Sequence, residues 1–109
     1  SLQQMSLRLR AFAQARDWGR FHAPKNLASA LVVEAAELLE PFQWLTEAQS
    51  SDLPPDTKEA VAQEMADVLL YLVQLSTALD VDLIDAAQRK MVINARKYPA
   101  PDGASQGPA

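Results

Sequence analysis

Hydrophobic residues recur every three or four positions along most of this chain, the spacing that gathers them on one face of an α-helix. The most regular stripe consists of Val61, Met65, Val68, Leu72, Leu75 and Leu79. It covers about five helical turns and therefore predicts a long third helix. Asp56 and Glu59, which precede the stripe, predict a capping box at the first turn of that helix.

Three more helices are predicted around this one. A first helix is expected over about residues 2–16 and a fourth over about residues 82–97, because both segments repeat the same spacing. The second is expected to begin with Asn26 as its N-cap and to be kinked or shortened by Pro41. Residues 46–55 are polar and contain proline, which predicts a connection between the second and third helices.

Four helices with short connections predict an all-α fold, a four-helix bundle. The chain has 3 glycines in 109 residues, and a β-rich domain usually needs more of them for its turns. Apolar stripes this long on so small a chain predict that oligomerisation completes the bundle. Residues 1–98 are expected to form one domain, and residues 99–109, PAPDGASQGPA, a disordered tail.

Composition narrows the classes of function. The net charge is −4, so the chain lacks the basic surface that nucleic acids and anionic membranes attract. It has no cysteine, which excludes disulfides and thiolate metal sites. The apolar runs are too short to span a bilayer and no signal peptide is visible, so a cytoplasmic location is expected. An acidic protein that binds a polyphosphate needs cations between the two.

Two pairs of acids interrupt the apolar helices. Glu34 and Glu37 lie at one edge of the stripe on the second helix, and Glu64 and Asp67 lie at the same edge on the third. If these edges face each other, four carboxylates converge in a half-buried place, where they cannot all stay ionised without compensation. Hard divalent cations provide that compensation. The alternative is that both pairs are ordinary solvated acids, as is expected of Glu40 unless it reaches a metal-bound water.

Other side chains have two interpretations each. On the fourth helix Lys90, Asn94 and Lys97 share a face that could hold phosphate oxygens, or the two lysines could simply be solvated. The two tryptophans could stack on a nucleobase or cover the core. These aromatic residues and the neighbouring polar candidates are Trp18, Trp44, His22 and Tyr71.

Three longer strings together resemble one family. FHAPKNLASALVVEAAELLEPFQW, QEMADVLLYL and KMVINARKYPA are similar to the MazG-like all-α nucleoside triphosphate pyrophosphohydrolases, above all to the dCTP pyrophosphatase subgroup. The resemblance covers roughly residues 8–100. The family signature, ExxE on one helix and ExxD on the next, corresponds to the two acid pairs. Val33 departs from the EExxE form that is common in the broader family.

The resemblance implies a reaction: Mg²⁺-dependent cleavage between the α- and β-phosphates of a nucleoside triphosphate, with Mn²⁺ as a substitute and deoxynucleotides such as dCTP preferred. It implies a homo-oligomer, dimer or tetramer, that removes unwanted nucleotides. The implied metal ligands are Glu34, Glu37, Glu64 and Asp67, with Glu37 or Glu40 acting on the attacking water. The substrate-binding residues would be Trp18, His22, Trp44, Tyr71, Lys90, Asn94, Lys97 and Tyr98.

Two other classes remain open from the residues alone. A di-iron or di-manganese carboxylate bundle would carry Glu-x-x-His pairs, but the single histidine, His22, stands outside such a motif. A non-enzymatic helical module that dimerises or binds a partner helix would show the same apolar stripes.

Overall fold

A computed structural model describes residues 1–19 and 22–101, and all regular structure within these ranges is helical. The helices are α1 (Leu2–Ala15), α2 (Pro24–Leu39), α3 (Glu47–Ser50), α4 (Pro55–Ala78) and α5 (Leu83–Lys97). The all-α prediction is confirmed. The additional element, α3, is a single turn inside the predicted connection, opened by a capping box between Thr46 and Gln49. Of the predicted tail, the part from residue 102 onward lies outside the described residues.

Prolines set the ends of α2, and the prediction of Asn26 as its N-cap is wrong. The helix begins at Pro24 with Ala23 as its N-cap, so Asn26 lies inside the first turn. Proline suits the first helical position because its fixed φ is helical and its missing N–H would have no partner there. Of the two effects expected of Pro41, a kink or a shortening, the structure shows the shortening: α2 ends at Leu39, and its C-cap Glu40 directly precedes the proline.

Proline also displaces the predicted start of α4. Pro54 is the N-cap and Pro55 the first helical residue, with no side chain capping the free N–H groups. The predicted capping box of Asp56 and Glu59 is therefore wrong. Asp56 lies within the first turn, where its charge favours the helix dipole, and Glu59 accepts a hydrogen bond from the Gln63 amide at 2.9 Å.

The chain divides into two compact units, and the first, Ser1–Leu79, contains the candidate site. Within it α4 packs against both α2 and α1. The buried apolar side chains are Ala13 of α1, Leu27 of α2, and Val61 and Val73 of α4. The second unit begins at Asp80 and contains α5, whose N-cap Asp82 accepts a hydrogen bond from the backbone N–H of Asp85.

Much of the apolar surface stays uncovered in the single chain. Met65 in the α4 stripe is 58% exposed, and Val32 and Leu39 on α2 are 65% and 60% exposed. These values are high for large apolar side chains on helices that also bear the core. No described helix combines the length and apolarity needed to cross a membrane.

Candidate metal and nucleotide site

The packing of α2 against α4 brings carboxylates from the two helices together. One oxygen each from Glu34, Glu37 and Glu64 lies within 4.8 Å of the other two, and all three residues are half-buried. Glu34 and Glu37 share a face of α2 because residues three apart lie on the same side of a helix. We call these three side chains the acidic cluster.

The acidic cluster brings carboxylates so close together that their ionised forms repel each other unless a cation compensates their charge. The Oε2 atoms of Glu34 and Glu64 are shielded from water and have no hydrogen-bond partner within the described part of the chain. Burial is the largest of the causes that together raise the pKa of Glu34 from 4.5 to about 7, and the nearby carboxylates of Glu64 and Glu37 contribute to the same shift. The negative charge of Asp67 acts on Glu34 in the same direction.

This donor set fits a hard divalent cation. Three carboxylates offer the oxygen ligands that Mg²⁺ and similar ions prefer, and the shielded oxygen atoms lack any other partner. Asp67 lies one turn beyond Glu64 on α4 and is also half-buried, but its oxygen is not part of the three-residue group. The structure thus brings three of the four predicted ligands together and leaves the fourth beside them.

A cavity of about 290 Å³ lies next to Asp67, between α1, α4 and the loop that follows α1. We call it the aromatic cavity. Its walls include Leu9 and Phe12 from α1, Trp18 and His22 from the loop, and Asp67, Tyr71 and Gln74 from α4. Three residues predicted from sequence to bind substrate, Trp18, His22 and Tyr71, are therefore neighbours here.

The position of Trp18 is fixed by contacts with the end of α1. Its ring meets Phe12 edge to face, with centroids 5.5 Å apart, and its backbone N–H donates to the Ala13 carbonyl at 2.9 Å. The Arg16 guanidinium lies 3.5 Å from the Phe12 ring centroid. The Trp18 side chain remains 45% exposed, so it borders the cavity and is not buried in the core.

Other predicted site residues stand outside these two features. Trp44 is 88% exposed in the turn after α2, so it does not cover the core of this chain. Glu40 is exposed at the C-terminal end of α2. The remaining candidates belong to the second unit. Asn94 is half-buried, and the other three are exposed: Lys90, Lys97 and Tyr98.

The aromatic cavity also contains residues that the sequence did not indicate as site residues, among them Phe12 and Gln74. Phe12 repeats the helical spacing of apolar residues in α1, and that spacing does not distinguish a cavity residue from a core residue. Gln74 gave no signal, because a lone glutamine on a helix is usually solvated. One pattern was available: Asp67, Tyr71 and Gln74 lie at i, i+4 and i+7 and so share a face of α4.

A sequence profile of the MazG-like family matches residues 30–107. The chain belongs to the MazG-like family. This confirms the resemblance found in the sequence, and the matched region contains all four acids of the two signature pairs.

Individual relatives of this MazG-like chain carry more specific names. The dCTP pyrophosphatase 1 of Homo sapiens is 48% identical over 91 residues, which are 82% of this chain and 54% of the human protein. Its namesake from Mus musculus is 47% identical over 90 residues, covering 81% and 53%. The chain thus spans about half the length of these curated relatives.

A solved structure shows the same fold. A crystal structure of a pyrophosphatase from Archaeoglobus fulgidus superposes with a TM-score of 0.85 at 40% sequence identity. The match covers 90% of this chain and 92% of the archaeal one. The helical arrangement of this MazG-like chain is therefore that of a known pyrophosphatase.

Proposed function

We propose that this protein is a divalent-cation-dependent nucleoside triphosphate pyrophosphohydrolase, which converts a (d)NTP and water into the (d)NMP and diphosphate. The acidic cluster beside the aromatic cavity is the observation that carries the proposal. Charged phosphates need cations, and a nucleobase needs flat apolar surfaces. The names of the mammalian relatives support dCTP, a deoxynucleotide, as a preferred substrate. The removal of unwanted nucleotides is the role that we propose.

Four acids would hold the cation. Glu34, Glu37 and Glu64 would supply ligands directly, and Asp67, at the border of the cluster and the cavity, would complete the set. Mg²⁺ is the proposed resident ion, with Mn²⁺ able to replace it, because both take oxygen ligands and share coordination with phosphates. When bound, the ion supplies positive charge to the phosphate oxygens and to the attacking water.

Two acids are candidates for handling the attacking water. Glu37 lies in the acidic cluster, and Glu40 lies three residues further along the same helical face, exposed at the end of α2. A carboxylate in either position could accept the proton that water loses as it attacks the α-phosphorus. A comparison of Glu40→Gln with Glu37→Gln separates the two candidates. If Glu40 handles the attacking water, Glu40→Gln must lower kcat without weakening metal binding.

Aromatic and basic side chains would bind the rest of the nucleotide. Trp18, His22 and Tyr71 line the cavity in which we place the base. Lys90 and Lys97 would neutralise phosphate charge, since both lie on one face of α5. Asn94, Tyr98 and Trp44 complete the proposed substrate-binding set.

The exposed apolar surface supports a homo-oligomer, dimer or tetramer. Val32, Leu39 and Met65 are each more than half exposed on helices that also carry the acidic cluster. Burial of such surface in a second copy is favourable at about 25 cal/mol per Å². Light scattering of the purified protein should therefore give at least twice the chain mass of 11.9 kDa. A mass of 11.9 kDa at micromolar concentration would contradict the oligomer.

Residues 1–98 are proposed as the domain that carries the activity, and a cytoplasmic location is proposed because nucleoside triphosphates are its substrates.

A binding module without catalysis is the second candidate function. The same exposed apolar side chains of α2 and α4 favour it, because they would equally suit a partner helix.

The products decide between these functions. The pure protein is incubated with each common nucleoside triphosphate, with Mg²⁺ or with excess chelator, and the products are separated by anion exchange. We expect nucleoside monophosphate and inorganic diphosphate in equal amounts. Both should form fastest from a deoxynucleotide, and neither should form with chelator. Nucleoside diphosphate and orthophosphate would place cleavage at the wrong bond, and no turnover of any substrate would favour the binding module.

A further inference from the structure

Gln74 of α4 lines the aromatic cavity and carries an amide oxygen without a hydrogen-bond partner in the described part of the chain. Its Oε1 atom is shielded from water and has no hydrogen-bond donor among the described residues. The neighbouring hydroxyl groups of α4 are satisfied, since Ser76 donates to the Val73 carbonyl at 2.7 Å and Thr77 hydrogen-bonds to Ser6. Of the three described side chains Gln74, Ser76 and Thr77, only Gln74 thus has a shielded polar atom without a partner.

An unpaired buried amide is costly for the folded state. Buried polar groups are nearly always hydrogen-bonded in native proteins, and leaving one unpaired destabilises the fold. A methionine of similar length would fill the same space between α1 and α4 without that penalty. The cost is recovered when a bound molecule supplies the missing donor, which directs attention to what the cavity binds.

The position of Gln74 along α4 matches one end of a nucleotide. Glu64, Asp67, Tyr71 and Gln74 follow each other at spacings of three, four and three, so they share one helical face. With a rise of 1.5 Å per residue, Gln74 lies about 10 Å from Asp67 along the axis. Phosphates held at the acids would therefore place the sugar near Tyr71 and the base near Gln74.

A carboxamide complements the polar edge of cytosine. Its oxygen can accept from the 4-amino group while its nitrogen donates to ring N3. Stacking on Trp18 tolerates any base, whereas a site built to hydrogen-bond an amine rejects a substrate that lacks it. Turned over, the same amide would complement thymine, so the two pyrimidines must be compared directly.

We infer that Gln74 is a specificity-determining residue whose amide turns toward the aromatic cavity when the base binds and hydrogen-bonds the edge of the cytosine ring, with Oε1 accepting from the 4-amino group. The inference rests on the proposed function and deepens it by assigning base recognition to one side chain. It requires the base to enter the aromatic cavity next to Phe12 and Trp18.

The test removes the hydrogen bond from each side in turn. Wild-type protein and Gln74→Met are assayed with dCTP, with dTTP and with the triphosphate of 2-pyrimidinone deoxynucleoside, which is cytosine without its amino group. We expect wild type to favour dCTP over this analogue by about 10- to 100-fold in kcat/KM. Gln74→Met should lose that preference, with kcat/KM for dCTP falling to about that for the analogue, and should melt at the same or a higher temperature. Gln3→Met, an exposed glutamine on α1, serves as the matched control.

The outcomes separate this inference from the proposed function. If wild type converts dCTP into dCMP and diphosphate but does not prefer it over the analogue, or prefers dTTP, the assignment to Gln74 is overturned and the proposed function stands. The same holds if Gln74→Met keeps the preference for dCTP. Absence of any nucleotide hydrolysis by wild type would overturn both. The wild-type comparison can overturn the assignment even if the variant fails to fold.

Discussion

Replacing Glu34 or Glu64 with glutamine should lower kcat/KM for the best nucleotide by at least about 10³-fold while the helical fold persists. Each substitution removes one negative oxygen from a group of three that lie within 4.8 Å of one another. The amide oxygen that remains is a weaker ligand for a hard cation, and loss of the cation removes several kcal/mol of charge stabilisation from phosphate cleavage.

The control for this experiment lies on α4, the helix that carries Glu64. Glu59 is an exposed acid of α4 whose side chain pairs with Gln63, so Glu59→Gln changes the net charge identically without touching the acidic cluster. It should retain full activity. Circular dichroism and melting in chelator should show that Glu34→Gln and Glu64→Gln are folded and no less stable than wild type, because a crowded charge has been removed. Full activity in the two cluster variants would refute a catalytic role for the acids.

The metal-free protein should lose stability as the pH rises from about 5 to about 8. The pKa of Glu34 is raised from 4.5 in the free side chain to about 7 in the folded chain. Between these values the folded state holds a proton that the unfolded state has released, so rising pH favours unfolding. The stabilisation is fully present below pH 4.5 and is lost as the pH passes through about 7.

Thermal unfolding in chelator across this pH range measures the effect. The wild-type Tm should fall toward alkaline pH, and Glu34→Gln, which carries no titratable group there, should show a distinctly flatter profile. Mg²⁺ should restore the wild-type Tm at pH 8 and leave that of Glu34→Gln nearly unchanged, because a ligand that binds the folded state stabilises it. A wild-type Tm that rises with pH in chelator would contradict the account of the acidic cluster.

The helices and the acid pairs could be predicted from the sequence because both depend on spacing alone. The edge positions of Glu34 and Glu64 relative to their apolar stripes correctly indicated that α2 and α4 bring them together. The helix ends were harder. Prolines at the first turns of α2 and α4 displaced the expected caps at Asn26 and Asp56, because a fixed backbone angle starts a helix without a side-chain cap.

The aromatic cavity could not be predicted, because it depends on how separate segments meet. Phe12 belongs to α1, Trp18 to the loop and Gln74 to α4, and no local pattern connects them. The missing hydrogen bond of the Gln74 amide oxygen could not be predicted either, since it arises from a shielded environment and not from the residue type. Residues that recognise a substrate are expected at such places, where local rules are broken for function.

Binding of Mn²⁺, followed by electron paramagnetic resonance, tests the central claim most directly, because it observes the ion at the acidic cluster without relying on turnover. Titration of the metal-free protein with Mn²⁺ should show saturable binding that Mg²⁺ displaces. The double variant Glu34→Gln/Glu64→Gln should leave the Mn²⁺ signal as it is in buffer, and Glu59→Gln should bind like wild type. Equal binding by wild type and the double variant, or no binding by wild type at all, would contradict the claim that these acids form a metal site.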